Sequence, residues 1–279
     1  MNRRDVNIMR IKCDNMIDPL RLAKVTEEII CRKEGDTVFR RYWRFRGGRW
    51  YGGIATADCV GCNLRCKFCG PILMMFKTRK LGDFKSPKEV ARILVKIARR
   101  RKYRYLRISG GEPTLCFEHL IQLISELRDY PYTFILETNG ILLGAKKELA
   151  DALAEFDNIH VRVSLKGADE HEFAELTMAS SNFFEYQLNA LRHLLDAGVS
   201  CHPAVVASFT TREKIELLRE RLYKISPYLA ESLEIEYIVL YPHVIESLLK
   251  HDLVPTKAYT TDWQLIDSKG YKEYIRKFF

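Results

Sequence analysis

Residues 51–245 are predicted to form a partial, TIM-like (β/α)6 barrel, an α/β fold with parallel strands. Three observations predict it. Strand-like apolar runs alternate six times with amphipathic helical stretches, as right-handed βαβ crossovers require. No second Gly-rich dinucleotide fingerprint marks a doubly wound sheet. Two dense polar motifs directly follow the first and second strands, at the strand ends where barrels gather their chemistry. The 279 residues give a length prior of roughly two domains, but a barrel of this type can use ~250 residues as one unit.

The elements follow in order. Residues 1–50 read as an α+β extension. In it, DPLRLAKVTEEIICRK (18–33) is a helix opened by Asp18 and Pro19, a cap and first-turn pair. TVFRRYWRFRGGRWYGG is strand material with a turn at Gly47 and Gly48. YGGIATADC ends the first barrel strand, and residues 86–101 form a helix behind a Ser cap. Strands over 103–109, 132–138, 159–165 and 199–208 alternate with helices over 117–129, 145–156, 183–198 and 211–225. Gly198 closes the third of these helices. The sixth strand is LEIEYIVLY (233–241), and residues 246–279 form a C-terminal tail.

Hydrophobic residues make up 47% of the chain and charged residues 29%, which excludes a mostly disordered protein. No apolar run approaches the ~20 residues of a membrane span, and the opening MNRRDVNIMRIK lacks the apolar stretch of a signal peptide. The expectation is a cytoplasmic protein with no membrane contact. Residues 1–104 hold 27 Lys/Arg against 10 Asp/Glu, and the rest hold 18 against 26. Such asymmetry marks either an acidic partner or a solvated basic face.

Half of the eight cysteines fall between residues 59 and 69, which is a metal-binding pattern rather than a disulfide framework. Cys62, Cys66 and Cys69 have the spacing C-x3-C-x2-C. Three thiolates on a short loop can wrap one face of a cubane cluster and leave one iron open to a small molecule. Structural zinc is the alternative, but its two C-x2-C knuckles are usually separated by ~15–20 residues; here only three residues separate Cys59-x2-Cys62 from Cys66-x2-Cys69.

With Phe68 before the last cysteine, this loop resembles the cluster motif of the radical S-adenosylmethionine (SAM) enzymes. Ser109-Gly110-Gly111-Glu112-Pro113, at the end of the second strand, resembles that family's GGEP motif. The resemblance covers about residues 51–245 and is closest to the short branch of the pyruvate formate-lyase activating and wybutosine-forming tRNA enzymes. It implies a 4Fe–4S cluster on Cys62, Cys66 and Cys69, with SAM chelating the fourth iron. Gly110 and Gly111 would let the backbone approach the methionyl group. Glu112 would lie near the SAM amino group, with Pro113 stiffening the turn. Glu137 and Asn139, at the third strand end, would face the ribose or sulfonium. Ser164-Leu165-Lys166, at the fourth, resembles the family's D/S-x-K segment, whose two polar side chains contact SAM. His202 is expected either against the adenosine or as a core histidine.

The resemblance also implies an oxidoreductase-type mechanism. An electron from ferredoxin or flavodoxin reduces the cluster, SAM is cleaved to a 5′-deoxyadenosyl radical, and the radical abstracts hydrogen from a substrate. Cys13, Cys31 and Cys59 are candidates for a second cluster, while Cys116 and Cys201 read as core. Three functions compete: an activase-like or small-molecule enzyme, a tRNA-modifying enzyme, and a non-catalytic zinc or nucleic-acid-binding module. Arg40, Arg41, Arg44, Arg46 and Arg49, interleaved with Tyr42, Trp43, Phe45, Trp50 and Tyr51, suit RNA or an edge hairpin with one wet face. The tail is a candidate lid over the barrel mouth.

Overall fold

The computed structural model describes residues 16–70 and 78–276. In chain order the elements are α1 (Pro19–Ile30), β1 (Cys31–Glu34), β2 (Thr37–Gly48), β3 (Ile54–Cys59), β4 (Asp83–Lys85), α2 (Pro87–Arg101), β5 (Tyr105–Gly110) and α3 (Phe117–Glu126). They continue with β6 (Thr133–Thr138), α4 (Ile141–Ala145), α5 (Lys147–Leu153), β7 (Ile159–Leu165), α6 (Glu170–Thr177), α7 (Phe183–Asp196) and β8 (Cys201–Val206). The last are α8 (Arg212–Ile225), α9 (Pro227–Glu231), β9 (Glu234–Glu236), α10 (Pro242–Lys250), β10 (Lys257–Tyr259), β11 (Leu265–Asp267) and α11 (Ser268–Ile275).

Six strands, in the order β3-β5-β6-β7-β8-β9, pair in parallel as expected. All six residues of β3 are buried, as in a strand covered on both faces; its one charge, Asp58, is paired with Arg44 and Arg46. The covering helices bury one stripe each; in α2 it is Val90, Leu94, Val95 and Ala98. Ser86 and Glu89 cap α2 reciprocally.

The extension continues the same sheet. β2 runs antiparallel to β3 from Tyr42 opposite Cys59 to Gly48 opposite Ile54, and β1 and β4 pair antiparallel with β2. Gly47 and Gly48 therefore lie inside a strand and do not form the expected turn. The hairpin turn is at Gly35 (φ 58°), between the paired residues Glu34 and Thr37.

Two further expectations need correction. The helix expected over 145–156 spans only Lys147–Leu153, and an unexpected short helix, Ile141–Ala145, precedes it, with Lys146 extended (φ −141°, ψ 100°) between the two. The sixth strand has three residues, not nine. Beyond Glu236 the backbone donors turn away from β8: the Ile238 amide donates to Ser208 Oγ (2.9 Å) and the Leu240 amide to the Tyr259 carbonyl (2.8 Å). The tail reaches the barrel mouth: Ser247 Oγ donates to the Lys67 carbonyl in the cysteine loop at 2.6 Å. Trp263 meets Trp50 edge to face at 5.5 Å, and the Arg49 guanidinium lies 3.6 Å from the centre of the Trp263 ring.

Candidate functional site

A cavity of ≈ 310 Å³ opens at the C-terminal ends of β3, β5, β6 and β7. Cys62, Cys66 and Cys69 line it from the loop after β3. Gly110, Gly111 and Glu112 line it after β5, Glu137 and Asn139 after β6, and Ser164 and Lys166 after β7. Ten of the expected site residues are thus brought around one space, where a parallel barrel concentrates ligand chemistry.

Backbone bonds shape the cysteine loop. The Arg65 and Lys67 amides donate to the Thr177 and Leu176 carbonyls at 3.2 and 2.9 Å. Both carbonyls belong to the end of α6, a helix that sequence reasoning missed although Asp169-x-x-Glu172 is a capping signal; Asp169 Oδ1 accepts from the Glu172 amide at 2.8 Å. On the other side, the Gly111 amide donates to the Cys59 carbonyl (2.8 Å) and the Glu112 amide to the Gly61 carbonyl (2.7 Å). A Cβ on Gly111 would sit 2.2 Å from that Gly61 oxygen. Gly111 is therefore required for contact between the two motif loops.

Arg40 was read from the sequence as part of a basic surface, and the structure corrects this. Val38, Arg40 and Tyr42 alternate on the buried side of β2, and Arg40 is 0% exposed. Its guanidinium donates to the carbonyls of Glu112 and Pro113 (both 2.7 Å) and of Leu115, and to Cys59 Sγ at 3.4 Å. The extension thereby holds both motif loops with one fixed cation. Arg44 and Arg46 pair with the buried Asp58 carboxylate while remaining partly exposed themselves.

The Glu112 carboxylate lines the cavity but is held as a brace. Oε1 accepts from the Thr114 amide (3.1 Å), Thr114 Oγ1 (2.7 Å) and Thr138 Oγ1 (2.6 Å), and Oε2 accepts from the Asn139 amide (2.8 Å). The Asn139 side chain donates from Nδ2 to Asn63 Oδ1 at 2.7 Å, and that nitrogen lies 3.9 Å from Cys62 Sγ. Burial, with the Glu112 charge and Cys66 nearby, pushes the Cys62 thiol up to about 12. Burial raises Cys66 and Cys69 as well, with the Lys166 cation opposing.

Some expected residues stand elsewhere. Pro113 is not among the lining residues; its carbonyl serves Arg40. His202 does not reach the cavity either. It is the second residue of β8, far from that strand's C-terminal end, and its ring bonds His160 (2.6 Å) and Glu234 (3.1 Å). The hydrogen bond from His202, together with Arg162, holds the Glu234 carboxyl down to about 2 against its burial. Glu137 is tied to Arg107 at 2.6 Å, and Ser164 Oγ accepts from Arg162 at 3.0 Å. Cys116 is buried as expected, but its sulfur is bonded to that of Cys31, with the two Cα atoms 5.9 Å apart. Cys31 is thus engaged apart from Cys59; Cys13 lies outside the described residues. Trp50, expected only on the basic, aromatic strand, and Arg162, Glu236 and Tyr241, given no role from the sequence, also line the cavity. Inward-facing strand position was the available signal for Arg162 and Glu236.

The donor set fits a 4Fe–4S cluster with one open iron. Three thiols share the cavity wall, while the neighbouring Cys59 is absent from the lining and faces Arg40. Among the described residues no group of three or more His, Cys, Asp or Glu side chains is gathered for a single metal ion. A cubane gives each thiolate its own iron, so the sulfurs need not meet at one point.

Comparisons with known proteins bear on this arrangement. The family model described as the radical SAM superfamily matches residues 58–222. A Methanocaldococcus jannaschii protein with the provisional name glycyl-radical enzyme activating enzyme is 34% identical over 121 residues, 43% of this chain and 42% of that protein. A Thermococcus kodakarensis protein with the provisional name GTP 3′,8-cyclase is 33% identical over 116 residues, 42% of this chain and 35% of that protein. The chain thus matches less than half the length of these relatives. Among solved structures, spore photoproduct lyase bound to a dinucleoside spore photoproduct aligns with a TM-score of 0.52 at 14% identity, covering 69% of this chain and 58% of the other. That likeness is one of fold.

Proposed function

The chain belongs to the radical SAM superfamily and is an enzyme of that type, and from that premise we propose which residues serve its cofactors and what kind of substrate it takes. Members of the family bind a 4Fe–4S cluster and SAM. In this chain Cys62, Cys66 and Cys69 hold the cluster and leave one iron for SAM. Bound there, with ferredoxin or flavodoxin as the reductant, the cluster and SAM would supply the one-electron chemistry that removes hydrogen from an unreactive C–H bond of the substrate.

The protein's own groups bind, orient and exclude water. Gly110, at φ 91°, keeps the strand end free of a side chain beside the thiols. Lys166 offers a cation for the SAM carboxylate, and Asn139 and Ser164 offer polar atoms at neighbouring strand ends. Glu112 orients the Asn139 backbone while its own position is fixed by Thr114 and Thr138. His202 has no part in this reading.

The observation that carries the proposal is the convergence of three thiols and the polar ends of three further parallel strands on one cavity. A small-molecule substrate is the better supported reading, since Arg40 is fully buried and Arg44 and Arg46 are fixed on Asp58 at the wall of a cavity rather than spread along an open face. The relative named for GTP cyclisation is in keeping with this. A reducing cytoplasmic setting suits the cluster; among the described residues no helix is long and apolar enough to cross a membrane.

The test is anaerobic reconstitution with iron and sulfide, followed by metal analysis and electron paramagnetic resonance of the reduced protein with and without SAM. The parent chain is expected to take up a cluster whose signal changes on adding SAM, and Cys62→Ala, Cys66→Ala and Cys69→Ala are each expected to lose it. Tightly held zinc with no cluster would overturn the assignment.

A further inference from the structure

A second cavity, of ≈ 640 Å³, adjoins the cysteine cavity and shares Gly70, Ser109, Gly110 and Tyr241 with it. Its distinctive wall comes from β2. There the antiparallel register shifts: Tyr42 stands opposite Cys59 and Arg44 opposite Asp58, so Trp43 is the extra residue of a β-bulge. A bulge re-aims a side chain that regular alternation would send to the other face. Trp43 accordingly lines the same cavity as Arg44 and Arg46, with 45% of its surface exposed. Tyr241 lies on the wall too, 42% exposed and parallel to His243, with ring centres 5.8 Å apart.

The charge in this cavity is unbalanced. Asp58, its side chain 2% exposed, accepts from Arg44 Nε at 2.5 Å and from Arg46 Nε and Nη2 at 2.8 and 3.0 Å. One carboxylate therefore fixes two guanidiniums, leaving a net positive charge in a defined orientation. The remaining N–H groups of both arginines have no partner among the described residues, and the two side chains stay 54% and 32% exposed. Guanidinium N–H groups in such a fork match the oxygens of a phosphate or carboxylate.

Resting on the radical SAM reading, we propose that this second cavity is the substrate site, and that the substrate is a small molecule bearing a planar ring and an oxyanion. The oxyanion is held by Arg44 and Arg46 and the ring lies against Trp43 or Tyr241. Ser109 and Gly110 are the shared wall across which the substrate faces the cysteine cavity. The volume is within the range of small-molecule sites, about 300–1,000 Å³.

Binding measured apart from SAM cleavage tests this, so its failure is distinct from failure of the radical reading. Adenosine monophosphate and GTP serve as phosphate probes, indole-3-acetate as the carboxylate probe, and adenosine as the neutral control. Each is titrated calorimetrically into the reconstituted protein. At least one anionic probe is expected to bind, and the probe class that binds identifies the oxyanion. Adenosine is expected to bind more weakly than any anionic probe that binds. Arg44→Gln and Arg46→Gln are each expected to weaken the anion about tenfold to a hundredfold, and Trp43→Ala to weaken it with no change in its salt dependence. If no anionic probe binds, or if both arginine variants bind like the parent, the proposal is wrong. Should the Arg46 variant not fold, Arg44→Gln alone decides, since Arg46 still holds Asp58 through two bonds.

Discussion

Arg40 donates to the carbonyl oxygen of Glu112 at 2.7 Å from a strand 72 residues earlier. The same guanidinium reaches Pro113, Leu115 and Cys59. An arginine with no exposure is thus the fixed point on which the cysteine loop and the GGEP loop are both hung.

Replacing Arg40 with Met keeps volume and removes every donor. Several buried carbonyls would lose their partner, each at about 1–3 kcal/mol, so Arg40→Met is expected to destabilise the fold by about 3 kcal/mol or more. Urea unfolding measures this directly, and a loss under about 1 kcal/mol would show that the latch carries little.

Gly111→Ala tests the contact between the motif loops. Its Cβ would lie 2.2 Å from the Gly61 oxygen, so the two loops must separate. Iron retained after reconstitution and desalting is expected to fall several-fold. Gly35→Ala is the control, since nothing stands within 4 Å of its added Cβ; it is expected to cost stability through its positive φ while retaining iron. Equal iron in the two variants would contradict the argument.

Acid should loosen the fold at His119. Burial holds this imidazole neutral down to about 4, with Nδ1 on the Val38 carbonyl and Nε2 on Tyr42. Between pH 6.5 and about 4 the unfolded chain binds a proton that the folded chain refuses, so stability falls as pH drops. About 3 kcal/mol is at stake across that window. His119→Gln, which keeps one donor and one acceptor, is expected to flatten the plot of Tm against pH there. An unchanged slope would place the acid sensitivity elsewhere.

The Cys31–Cys116 bond joins α1 and β1 to the turn that opens α3, closing a loop of 85 residues. By chain entropy such a crosslink contributes about 4 kcal/mol. Cys31→Ser is expected to lower the urea midpoint in the absence of reductant and to leave it unchanged in dithiothreitol. A parent chain that loses nothing in dithiothreitol would contradict this.

Much of the site was legible because its motifs abut strand ends. Gly110 and Asn139 stand one residue beyond predicted strands and Cys62, Cys66 and Cys69 within ten, and parallel topology brings such positions together. His202 was misjudged because its strand was identified without its depth; the second residue of β8 lies at the end opposite the cavity. Arg40 was misjudged because a charge was taken to be solvated, although Val38 and Tyr42 mark its side of β2 as buried. Trp43 was out of reach altogether, since a register shift between two strands leaves no mark in either strand alone.

The central claim is that these three thiols support SAM cleavage. The direct measurement is anaerobic: reconstitute the cluster, reduce with dithionite, add SAM with a bound anionic ligand, and quantify 5′-deoxyadenosine by mass spectrometry. The parent is expected to form the nucleoside and Cys62→Ala to form none. A cluster-loaded parent that makes no more than Cys62→Ala would contradict the account.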